Sequence, residues 1–122
     1  MDISLDSNSG DYQITAYSTG SIQINGREFS EPLTVTLKKL SQENLPDNVE
    51  SINADLLEAL DIQDYEAVLL GTGNELQQPS WEVIEAAQMM GAPLEVMSTG
   101  AACRTFTVLA SEGRRVLAIL YP

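Results

Sequence analysis

Glu66-Ala67-Val68-Leu69-Leu70-Gly71-Thr72-Gly73 is the stretch that decides the fold. A short apolar run closes on two glycines, and Pro79-Ser80 then opens an amphipathic segment. A compact apolar strand, a tight turn and a helix start give that order of residues. In the helix, Val83, Ala87 and Met90 share one face, and Gly91 followed by Pro93 ends it. Leu94–Met97 reads as the next strand. Ser98 or Thr99 caps a second helix, whose inner face carries Ala102, Thr105, Phe106 and Leu109. Gly113 ends that helix, and Val116–Leu120 is the last strand. The second half therefore predicts β-α-β-α-β.

Working back from Glu66, the first half predicts β structure. Tyr12, Ile14 and Ala16 alternate with Gln13, Thr15 and Tyr17, and Ile22 and Ile24 resume the alternation after a turn at Ser18-Thr19-Gly20. Asn25-Gly26 predicts a tight hairpin into a short return strand, Arg27–Phe29. Leu33, Val35 and Leu37 alternate with Thr34, Thr36 and Lys38, which predicts a half-buried strand. Residues 41–52 predict loop, and Asn53 caps a short helix through Leu60 with Asp55 near its positive end. The expectation is one α/β domain over 1–122 with a flexible N-terminus over 1–11. Alternating strands and helices of this length predict α/β layers, with the N-terminal β-hairpin as extra β structure on the β-α-β-α-β unit.

Composition bounds the chemistry. The formal charge of −12 makes nucleic acid and anionic membranes poor partners and leaves a solvated acidic surface or a basic protein partner as readings. No apolar run is long enough to span a bilayer, and Met1–Asp6 has neither a signal-peptide nor a transit-peptide pattern, so the expected compartment is the cytoplasm. The single cysteine, Cys103, agrees with that. There is no histidine, which removes His-activated nucleophiles and imidazole zinc sites. The expectation is no catalytic residue, no metal and no cofactor. Asp61, Asp64 and Glu66 read as turn chemistry over a hard-cation site, Trp81 as a partly buried anchor, and Met89-Met90 as core or groove filling.

Two segments remain as binding candidates. Gly71, Thr72 and Gly73 allow close backbone approach by a ligand, or simply a tight turn. They match neither a dinucleotide fingerprint, since position 76 is Leu, nor a phosphate-binding P-loop. In Thr99-Gly100-Ala101-Ala102-Cys103-Arg104-Thr105, Arg104 opposes the positive end of the helix dipole. An anion held near the helix start, or a salt bridge to a carboxylate, accounts for it. Cys103 beside Arg104 reads as an activated thiol or, more simply, as a small buried apolar residue. Arg114 and Arg115 complement the far end of the same helix.

Leu69-Leu70-Gly71-Thr72-Gly73, Gly91, Glu95-Val96-Met97, Thr99 to Thr105 and Glu112-Gly113-Arg114-Arg115-Val116, taken in series, resemble a family of small domains of unknown function. That family includes relatives of an assembly factor for mitochondrial respiratory complex I. The resemblance implies a three-layer α/β fold around a mixed sheet, with the last strand antiparallel to its neighbours and a hairpin layer on the sheet. It also implies a cleft near the glycine loop, and the matching positions are Gly71, Thr72, Gly73, Thr99 and Arg104, with Glu112 in a structural role. The chain departs from the pattern at Ser98, where Asp is expected, and at Phe106-Thr107, where Tyr-Asn is expected. Both departures remove polar groups and favour binding over catalysis. The expected function is a non-catalytic accessory or assembly-type protein that contacts another protein. The alternative is a small anionic ligand between the two segments.

Overall fold

The apolar runs that the sequence marks as strands lie side by side at the centre of the molecule. A computed structural model describes residues 11–122. In chain order the strands are β1 (Ile14–Ser18), β2 (Ser21–Ile24), β3 (Arg27–Phe29), β4 (Leu33–Val35), β5 (Leu40–Ser41), β6 (Ala67–Gly71), β7 (Leu94–Met97) and β8 (Val116–Leu120). The helices are α1 (Ala54–Ala59), α2 (Trp81–Met89) and α3 (Thr99–Ser111). Short 3₁₀ turns cover Val49–Ser51 and Ile62–Asp64.

The central sheet is mixed and runs β5-β4-β8-β6-β7. β8 is parallel to β6, with Leu69 opposite Ala118, and antiparallel to β4, with Thr34 opposite Ile119. This corrects the expectation that the last strand is antiparallel to its neighbours. α3 carries the chain across the sheet after β7, so β8 enters between β4 and β6 in the direction of β6.

Period-two burial divides the core in two. Leu69, Val116, Ala118 and Leu120 face α3 and the hairpin strands, packing with Ile22, Ile24, Phe29, Ala102, Cys103 and Phe106. Val68, Leu70, Leu117, Ile119 and Tyr121 face the opposite way, packing with Leu57, Ile62, Val83 and Ala87. Thr34 and Thr36 are buried too, so the β4 segment is covered on both faces and not the half-buried strand that its alternation predicts.

The local signals behave as their chemistry requires. Asn25 and Gly26 both take positive φ, 52° and 81°, in the hairpin between β2 and β3. Asn53, Ser80 and Ser98 cap α1, α2 and α3 through side-chain oxygens. The alternation in β1 breaks: a bulge between Ile14 and Ala16 lets both Ile14 and Tyr17 pack on the core while Ala16 is exposed. Trp81 is 72% exposed and Met89 is 83% exposed. They lie on the outer side of α2, so the partly buried anchor expected of Trp81 does not hold, and of the Met89-Met90 pair only Met90 packs against the core. Apart from Asp11, the N-terminal segment expected to be flexible lies outside the described residues. Asp11 itself pairs with Lys38, and its carbonyl accepts from Asn25 Nδ2 at 3.2 Å.

Candidate functional site

Gly71-Thr72-Gly73 leaves the end of β6, and Thr99 begins α3 at the end of β7; parallel pairing of these strands brings the two turns together. Their contact is a set of buried hydrogen bonds. The Gly73 N–H donates to Thr99 Oγ1 at 2.7 Å, and that hydroxyl donates to the Tyr121 carbonyl at 2.6 Å. The Thr99 N–H donates to the Gly73 carbonyl at 2.9 Å, and the Thr72 N–H to the Met97 carbonyl at 2.9 Å. Thr72 Oγ1 folds the loop onto itself, donating to the Glu75 carbonyl at 2.7 Å and accepting from the Gln77 N–H at 3.0 Å. At Gly71 a Cβ would lie 3.0 Å from Thr99 Cα and 3.0 Å from Leu120 Cδ2. A side chain does not fit between the strand and the helix start.

A cavity of about 760 Å³ lies on the outer side of this loop and is reached by Thr72, Gly73, Tyr121 and Pro122. Its rim includes Glu31, Asp47 and Glu75. Three carboxylates give it a negative field, which works against an anion. Tyr121 stands in its wall with its hydroxyl donating to the Pro46 carbonyl at 3.1 Å. Burial, and secondarily the Asp47 carboxylate, push its phenol up to about 12.

Arg104 opens elsewhere. It lines a groove of about 480 Å³ on the other side of α3, together with Ile14, Tyr17, Gly100, Cys103 and Val108. The structure thus brings Gly71, Thr72, Gly73 and Thr99 together and places the Arg104 guanidinium in a separate groove. Arg104 forms no ion pair among the described residues, although the chain carries eighteen carboxylates. Arg114 pairs instead with Glu112 at 3.2 Å, and Arg115 with Glu66 at 3.1 Å while its Nε donates to the Asp64 carbonyl. Cys103 is 5% exposed. Burial pushes its thiol up to about 11, outweighing the opposing pull of Arg104. A thiol held there is protonated at neutral pH and is a poor nucleophile.

Tyr17 was absent from the sequence-based candidates, yet its ring lies over Gly100 and beside Arg104. A Cβ on Gly100 would stand 3.4 Å from the ring carbons and 3.6 Å from Arg104 Nη1. The Tyr17 hydroxyl is closed off from solvent and has no hydrogen-bond partner among the described residues. Burial, and then Cys103, raise its pKa. The signal for this groove was in the sequence. Gly100, Cys103, Arg104, Thr107 and Val108 fall at the i, i+3, i+4, i+7, i+8 spacing of one helix face.

The sequence pattern of a family described as "Protein of unknown function (DUF498/DUF598)" matches residues 14–121. The chain belongs to this family. Among curated relatives it is similar to the "13 kDa major membrane protein" of Francisella tularensis subsp. holarctica, 28% identical over 105 residues and covering 85% of each chain. It is also similar to "NADH dehydrogenase [ubiquinone] 1 alpha subcomplex assembly factor 3" of Danio rerio, 34% identical over 113 residues. That match covers 89% of this chain but only 63% of the zebrafish protein, so the chain spans less than two thirds of that relative. Among solved structures, a Bordetella parapertussis protein superposes with a TM-score of 0.82 at 30% identity, covering 93% of this chain and 97% of the other. The Francisella protein carries a membrane name. In this chain no helix among the described residues is long and apolar enough to cross a membrane.

Proposed function

We propose that the chain is a non-catalytic, assembly-type accessory protein that works in the cytoplasm by contacting another protein. The observation that carries this is its kinship, over 89% of its length, with a protein named as an assembly factor. Its chemistry supports the same reading. The chain has no histidine, and its one cysteine is buried with a raised pKa. The test is quantitative capture of the tagged full chain after cross-linking in its own cells, joined to deletion of its gene. A stoichiometric partner whose assembled form declines on deletion supports the reading. A bait recovered alone at near-physiological salt, with no assembly defect on deletion, refutes it.

A second reading keeps a small anionic ligand but places it on Arg104 alone, since the Gly71-Thr72-Gly73 loop and Thr99 lie away from that groove; it draws on one observation, that Arg104 forms no ion pair among the described residues. A thermal-shift screen of phosphates, carboxylates and nucleotides tests it. Ligands whose stabilisation is unchanged by Arg104→Ala argue against it.

A further inference from the structure

The groove that holds Arg104 has an unusual pair of walls. One is formed by Ile14, Thr15, Ala16 and Tyr17, four consecutive residues of β1. Successive side chains of a strand normally point to opposite faces; here four in a row reach one groove because the strand presents its edge and the bulge at Ile14–Ala16 breaks its alternation. β1 is an edge strand: its sheet runs β1-β2-β3, and among the described residues nothing pairs with its outer side. The other wall is the single face of α3 formed by Gly100, Cys103, Arg104, Thr107 and Val108. A second hollow of about 380 Å³ continues the groove past Ile14 and Thr107 toward Asp11 and Ser111, again lined by consecutive residues of the β1 side.

An open strand edge facing a helix is the geometry in which an extended peptide adds to a sheet, with main-chain hydrogen bonds on one side and side-chain contacts on the other. Val108, 54% exposed, supplies apolar contact on the helix wall. At the Tyr17 end stands the Arg104 guanidinium, which reaches back beside Gly100. Among the described residues Arg104 forms no ion pair, so its charge is available to an arriving negative group. The enclosed Tyr17 hydroxyl shows that hydrogen bonding at the same end is incomplete.

We propose that this groove binds the extended C-terminal segment of a partner protein, running parallel to β1 with its terminal carboxylate on Arg104. The inference rests on the protein-contact reading above and names the surface and the kind of partner. At about 3.3 Å per residue, five or six residues of the partner span β1 and the continuing hollow.

The probe is a mixture of fluorescein-labelled hexapeptides, randomised at five positions and ending in Val, Ile, Leu or Phe. It is prepared once with free C-terminal carboxylates and once amidated. Fluorescence anisotropy with the full chain is expected to show the free acids binding about tenfold or more tightly than the amides. Arg104→Gln is expected to bring the acids down to the level of the amides while leaving the melting temperature unchanged, since Arg104 is exposed and forms no ion pair among the described residues. Amide hydrogen exchange over Ile14–Tyr17 is expected to slow in the complex. Equal binding of acids and amides, no binding of either, or an unchanged Arg104→Gln overturns the proposal. Displacement of the peptides by benzoate at equal affinity overturns it in favour of a small-carboxylate site. A native partner still captured in full by the Arg104→Gln chain also removes the groove assignment, while leaving the assembly reading intact. If no partner is captured but the free-acid peptides bind, the groove stands and the assembly reading falls.

Discussion

Thr99→Val tests whether the junction of the glycine loop and α3 is a structural clamp. Thr99 is fully buried, and its hydroxyl joins three segments by accepting from the Gly73 N–H and donating to the Tyr121 carbonyl. Valine keeps the shape and removes the oxygen. Each buried polar group left without a partner costs about 1–3 kcal/mol, and two are orphaned here. The added methyl recovers part of this, about 1 kcal/mol. The expected loss is therefore about 1–5 kcal/mol, a large fraction of the roughly 5–15 kcal/mol that holds a domain of this size. Thr99→Ser is the matched control: it keeps the hydroxyl and gives up one methyl, for about 0.5–1.5 kcal/mol. Urea unfolding followed by circular dichroism reads both, with the midpoint falling at constant slope. At about 4 °C per kcal/mol, Thr99→Val lowers the melting temperature by about 4–20 °C. If Thr99→Val is as stable as Thr99→Ser, the two hydrogen bonds are not what closes the junction, and the reasoning fails.

Gly71→Ala is expected to cost about 1–3 kcal/mol, because its Cβ meets the Thr99 backbone, which cannot swing aside; a wild-type melting curve contradicts this. The alkylation rate of Cys103 by iodoacetamide should stay low through pH 8 and rise toward a pKa of about 11, and a midpoint near 8.5 removes the burial argument. Because the folded-state pKa values of Cys103 and Tyr121 are raised, the unfolded chain releases those protons first. Stability is then complete below about pH 8.5 and declines as pH rises toward 11 and 12, which urea midpoints between pH 7 and 10.5 should show. Trp81→Ala should shift stability by no more than about 0.5 kcal/mol, and Trp81 emission should be readily quenched by acrylamide; a protected indole contradicts its position on the outer side of α2.

Much of this architecture is legible in the residues, because short-range signals agree with long-range ones. Asn25-Gly26, Asn53, Ser80, Gly91, Ser98 and Gly113 each punctuate the chain where their chemistry demands, so element order follows directly. The direction of β8 does not follow, since an apolar run such as Val116–Leu120 reads the same beside a parallel or an antiparallel neighbour. The inward face of β1 is hidden for a different reason: a bulge at Ile14–Ala16 shifts the alternation by one residue, and period counting assumes no such shift. Trp81 is misplaced because large aromatics favour burial on average, although the face set by Val83, Ala87 and Met90 already turns it to the outer side of α2.

The two candidate segments show where local reading stops. Parallel pairing of β6 and β7 explains why Gly71, Gly73 and Thr99 meet, and that much follows from β-α-β order. The helix-dipole argument for Arg104 concerns only the axis of α3 and leaves the azimuth open. The side chain emerges on the flank next to β1, away from the loop. Spacing along α3 defines that flank, but its strand wall comes from residues some ninety positions earlier, beyond the reach of any periodicity.

The most direct trial of protein contact through the β1–α3 flank is site-specific photocrosslinking in living cells. A benzophenone side chain placed at position 108, on the outer wall of the groove, should give a discrete heterologous adduct whose yield drops about tenfold with Arg104→Gln. No adduct at position 108, or one indifferent to the charge at 104, contradicts it.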